Sequence, residues 1–76
     1  MFKKMKLNKA IKNSKERIAM LEQKRSRSQA ALVEAILTNT EPNDADVDYF
    51  NQFTAQIEEE RDHLHSLMKE LDALTK

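Results

Sequence analysis

Apolar residues recur along this chain at alternating steps of four and three. From Leu7 the pattern runs Leu7, Ile11, Ser14, Ile18, Leu21, Arg25, Ser28, Leu32 and Ala35. A second pattern runs Phe50, Phe53, Ile57, Glu60, Leu64, Leu67, Leu71 and Leu74. This seven-residue period is that of a helix seam facing one neighbour. Beyond the heptad spacing there is no internal repeat.

Between the two patterns lies "TNTEPND". Pro42 disfavours helical geometry at Glu41, and Asn43 or Asp44 can cap a following helix. Asp44, Asp46 and Asp48 fall in its first turns, where the positive end of the helix dipole favours carboxylates. The pattern predicts helix one over about 3–39, a turn at about 40–43 and helix two over about 44–75. At ~1.5 Å per residue these are rods of roughly 55 and 48 Å. A short connection makes them antiparallel neighbours. The expected fold is all-α: a single antiparallel two-helix hairpin over 1–76, coiled-coil-like, associating into a four-helix bundle.

One alignment of the seams sets Leu32 opposite Phe53, Ala35 opposite Phe50, Leu21 opposite Leu64, Ile18 opposite Leu67 and Ile11 opposite Leu74. It also sets Arg25, the one charge in the first seam, opposite Glu60, the one charge in the second. A buried charge alone is costly, whereas a hydrogen-bonded pair is tolerated. Arg25 and Glu60 are therefore expected to be a register pair. Slipping by a heptad would leave both facing apolar groups.

Composition narrows the class without changing this picture. In 76 residues there is no cysteine, no glycine and one proline. A β-rich fold would need several turns, and turns favour glycine and proline. Without thiols there are no disulfides, cysteine zinc sites or redox motifs. A chain this short buries a small share of its surface, and association with another chain is the usual support. No apolar run approaches the roughly 20 residues that span a bilayer. The start "MFKKMKLNKAIKN" lacks a secretory h-region, so a cytoplasmic location is expected. Net charge is zero, but residues 1–38 hold ten Lys/Arg and three Asp/Glu, and residues 39–76 hold three and ten. The chain can neutralise itself by folding back, or two copies can neutralise each other.

Candidate chemistry is sparse. "EEERDHLH", residues 58–65, packs four carboxylates, an arginine and two histidines together. A charge run on a helix is usually a solvated face, and Glu58, Glu59 and Asp62 fall near Lys24 and Arg27. Glu60 and His63 fit the Glu-x-x-His spacing of di-iron carboxylate bundles, with Glu22 as a neighbour. That metal-binding bundle is an alternative function carried by a four-residue match. His65 lies about 200° around the helix from His63, so the two cannot grip one ion. A calcium loop opening at Asp44 would need glycine and glutamate where Tyr49 and Ala55 stand. No spacing suggests a nucleophile with its base, and there is no glycine-rich phosphate loop. Neither catalysis nor a cofactor is expected.

Two surfaces remain. Lys3, Lys4, Lys6, Lys9, Lys12, Lys15 and Arg17 stand against one acid, Glu16, and could meet nucleic-acid phosphates or an anionic membrane surface. Phe2, Met5 and Leu7 would add apolar anchors to the membrane version. Val33, Ile36, Leu37, Val47 and Tyr49 lie off the seams and cluster toward the turn, where extra apolar groups suggest a partner surface. The expected function is a non-enzymatic protein–protein interaction module, such as an adaptor, assembly factor or small chaperone. Its partner would be a second copy or another helical protein. An accessory nucleic-acid-binding protein using the basic first helix is the alternative. The layout, a long helix, a proline-containing turn and a helix opening on acids and aromatics, is similar to small type III secretion subunits and their co-chaperones, and to small phage or plasmid regulators. That likeness is one of layout and carries over no residues.

Overall fold

The structure, a computed structural model, describes residues 2–75. Two helices make up the fold: α1 spans Phe2–Leu37 and α2 spans Asp44–Thr75. They pack along their length into a rod of 56 × 16 × 14 Å with a radius of gyration of 17.1 Å. A sphere-like domain of this length would have a radius of gyration of about 11 Å. The protein is an all-α helical hairpin.

The turn is made without glycine. Asn39 takes φ 57°, the left-handed conformation that asparagine tolerates better than most residues. The Thr40 amide donates to the Ala35 carbonyl at 2.9 Å and the Asn39 amide to the Ile36 carbonyl at 3.2 Å. Those two bonds form a Schellman cap, which satisfies carbonyls that the helix end leaves open. The Thr38 hydroxyl donates to the Glu34 carbonyl at 2.9 Å. The expected helix one reached about residue 39; the cap ends it at Leu37. At the start of α2 the Asn43 side-chain oxygen accepts from the Ala45 amide at 2.9 Å. Asn43 rather than Asp44 is thus the cap, and Asp44 and Asp46 fill the first turn.

Burial follows the predicted seams. Leu7, Ile11, Ser14, Leu21 and Ser28 are buried in α1, and Ile18, Arg25, Leu32 and Ala35 are half-buried. In α2, Ile57 is 1% exposed, and Phe50, Phe53, Glu60, Leu64, Leu67 and Leu71 are half-buried. Only Leu74, 45% exposed, leaves the pattern.

The register differs from expectation. Glu60 does not meet Arg25. Its carboxylate accepts from the Ser14 hydroxyl at 2.7 Å and from Arg17 at 3.2 Å. Arg25 instead lies 5.9 Å over the Phe50 ring. The cross-helix contacts centre near one heptad away, a slide of about 10 Å along the axis. This is the slip that was expected to strand both charges, and neither is stranded. Ser14 gives Glu60 a donor inside the seam, and the ring of Phe50 gives the Arg25 guanidinium a favourable face. The slide also covers Leu7, 7% exposed. In the expected register Leu7 would lie beyond the end of helix two.

Candidate functional site

The polar centre of the rod is built from both helices. Ser14 stands at a seam position of α1 and is 2% exposed, and its hydroxyl finds an acceptor across the seam. Glu60 supplies one oxygen to Ser14, and the other accepts from Arg17. Next to this network Arg61 donates to Glu22 at 2.8 Å. The Glu60 carboxyl is held below its ordinary range, foremost by the Ser14 hydrogen bond. Partial burial opposes that effect, and Arg17 and His63 add to it.

An open groove of about 590 Å³ runs beside the network, with Arg17, Met20, Lys24, Glu59, Glu60 and His63 among its lining. Both oxygens of Glu60 are engaged and its proton affinity is lowered, so it is poorly suited to act as a general base. Among the described residues no group of three His, Cys, Asp or Glu side chains could hold a metal ion. Glu22, the neighbour considered for a Glu60–His63 metal pair, is bonded to Arg61.

The basic residues expected to form a polyanion surface, Lys3, Lys4, Lys6, Lys9, Lys12, Lys15 and Arg17, are all exposed. At about 100° per residue they are spread around the solvent side of α1 as a sleeve, not a stripe. Arg17 is drawn onto Glu60, whereas none of the six lysines forms an ion pair within 4.0 Å among the described residues.

The expected partner surface divides in two. Ile36 and Leu37 are 73% and 79% exposed, Val33 is exposed, and Val47 is half-buried. Tyr49 belongs to the opposite flank. It stacks on Phe53 with ring centroids 6.1 Å apart and shares a groove with Lys24, Arg27 and Ser28. Seven-residue steps in α1 join Ile36 to Glu22, on the flank away from Lys24. Ser14 is the member of the polar centre that sequence reasoning missed. A serine at a heptad position can bond an acceptor on the facing helix or a carbonyl of its own helix, so the pattern alone left the partner of Ser14 open.

Among the described residues no helix is long and apolar enough to cross a membrane. No family model, no curated protein and no solved structure matches this chain.

Proposed function

We propose that this protein is a non-enzymatic interaction module, an adaptor, assembly factor or small chaperone subunit that works by presenting helix faces to another helical protein. The observation that carries this reading is the apolar end of α1. Ile36 and Leu37 are among the most exposed large apolar residues of the described chain, and they adjoin Val33 on the same helix. Leaving such groups in water forgoes about 1.5–3 kcal/mol per side chain relative to burial. A two-helix hairpin has one internal interface, and it is already filled by the seam. A third helix lying across the turn end would cover them.

The test is capture from the native host with immobilised protein, wild type against Ile36→Lys/Leu37→Lys. A partner held by wild type and lost by the variant supports the module. The same proteins bound to both would overturn it.

A second reading, an accessory nucleic-acid-binding protein, is favoured by one observation, exposed lysines that form no ion pair with a carboxylate among the described residues. The sleeve geometry works against it, because a duplex can touch only one side of a helix. Binding to DNA or RNA near 50 mM salt that falls steeply with added salt would support it; no binding at that salt would end it.

A further inference from the structure

We infer that the partner of this interaction face is a second copy of the same chain, docked antiparallel along the flank that carries Glu22 and Arg61. The inference rests on the module reading and names its occupant. The Glu22–Arg61 bond shows that these positions share one flank. Seven-residue steps from Glu22 reach Lys15 and Asn8 one way, and Gln29 and Ile36 the other. The same steps from Arg61 reach Thr54 and Val47 one way, and Met68 and Thr75 the other.

Apolar groups collect at the two ends of this flank. Near the turn stand exposed Ile36 and half-buried Val47. At the far end an open groove of about 540 Å³ is lined by Ile11, Met68 and Leu71 together with polar Asn8, Lys15, Asp72 and Thr75. The middle is polar. Along α1, Ile36 and Ile11 lie roughly 21 and 17 Å from Glu22 at 1.5 Å per residue. A two-fold axis at the level of Glu22 therefore exchanges groove and tip. Ile36 of each copy enters the groove of the other, and the two Glu22–Arg61 pairs, each neutral in itself, meet at the axis.

Charge selects the orientation. No lysine or arginine lies between Arg27 and Arg61, and the turn end carries Glu34, Glu41, Asp44, Asp46 and Asp48. The other end carries Lys3, Lys4, Lys6, Lys9, Lys12, Lys15 and Lys69 against Glu16, Glu70 and Asp72, and remains net basic. Antiparallel docking sets each acidic end beside a basic one; parallel docking sets like charges together. Such complementarity fixes register and rejects wrong arrangements. The lateral face, 56 by 16 Å, projects roughly 900 Å², and a standard interface takes about 800 Å² per partner. The two-fold arrangement is closed, so it stops at a dimer of hairpins.

The test combines sedimentation equilibrium with spin labels on Glu41→Cys, in a chain with no other thiol. A dimer is expected, with labels about 50 Å apart because the two turns lie at opposite ends. Lys6→Glu/Lys9→Glu should weaken association about tenfold or more, and adding Glu34→Lys/Glu41→Lys to that chain should restore it. Circular dichroism checks that each variant stays helical. A monomer up to millimolar concentration, a label distance below about 25 Å, or no recovery by the charge swap would overturn the inference. A monomer that still captures a partner through Ile36 and Leu37 would end the dimer and leave the module reading standing.

Discussion

Replacing both Ser14 and Glu60 should leave the hairpin at least as stable as the native chain, although replacing Ser14 alone should weaken it. The hydroxyl–carboxylate bond is 2.7 Å long and sits on a residue that is 2% exposed. A hydrogen bond to a charged group contributes about 1.5–3 kcal/mol. Ser14→Ala loses that bond but gains up to about 0.5 kcal/mol of helix propensity, for a net loss of about 1–2.5 kcal/mol. The remaining Arg17 contact cannot compensate, because its side chain is 57% exposed and such pairs contribute about 0–1 kcal/mol. Glu60→Leu loses the same bond and adds about 1.5–3 kcal/mol of apolar burial, so it should lie near neutral. The stranded Ser14 hydroxyl can bond back into its own helix. In Ser14→Ala/Glu60→Leu the bond is lost only once while both gains remain, so the double variant should be no less stable than the native chain. The coupling between the sites should equal that bond, about 1.5–3 kcal/mol. Urea titration followed at a helical circular-dichroism band measures this, with protein concentration fixed because association would shift the midpoint. Strictly additive single effects, or a double variant weaker than Ser14→Ala, would show that the two groups do not meet.

Other outcomes follow from single features of the structure. The Thr54 hydroxyl is buried without a hydrogen-bond partner, so Thr54→Val should stabilise by about 1 kcal/mol and raise Tm by about 4–8 °C in a domain of this size. Asn39→Ala puts a less tolerant residue at φ 57° and should cost about 1 kcal/mol, while Asn39→Gly should be tolerated; thermal melts compare the two. Glu60 is held below its ordinary pKa of 4.5. Its contribution should therefore be fully present above that value and lost as pH falls through the folded-state pKa. Melting temperatures of wild type and Glu60→Gln should converge in acid.

Most of the architecture was legible in the chain because a heptad pattern states which side of a helix is covered, and nearly every seam residue is. The turn was legible too, since Pro42 and the acids at Asp44 and Asp46 leave few other places for α2 to begin. The register was not. Two patterns of period seven can be slid by seven with their apolar positions still matched, so finer terms decide. Attraction between Arg25 and Glu60 favoured one offset. Covering Leu7, giving Ser14 an acceptor and laying Arg25 on Phe50 favoured the other, and together they outweigh one ion pair. The exposed apolar groups were half legible: exposure at Ile36 and Leu37 follows from their positions off the seam. The flank of Tyr49 depended on which way its ring turned toward Phe53.

A rod only two helices thick has no shell to shelter its amides. Each turn of α1 is held by the stretch of α2 beside it and by nothing farther off, so the ends can part while the middle stays closed. Hydrogen exchange should be slowest around Leu21 and Ile57 and quicken steadily in both directions. An added chain would then show itself first as slower exchange at the two extremities.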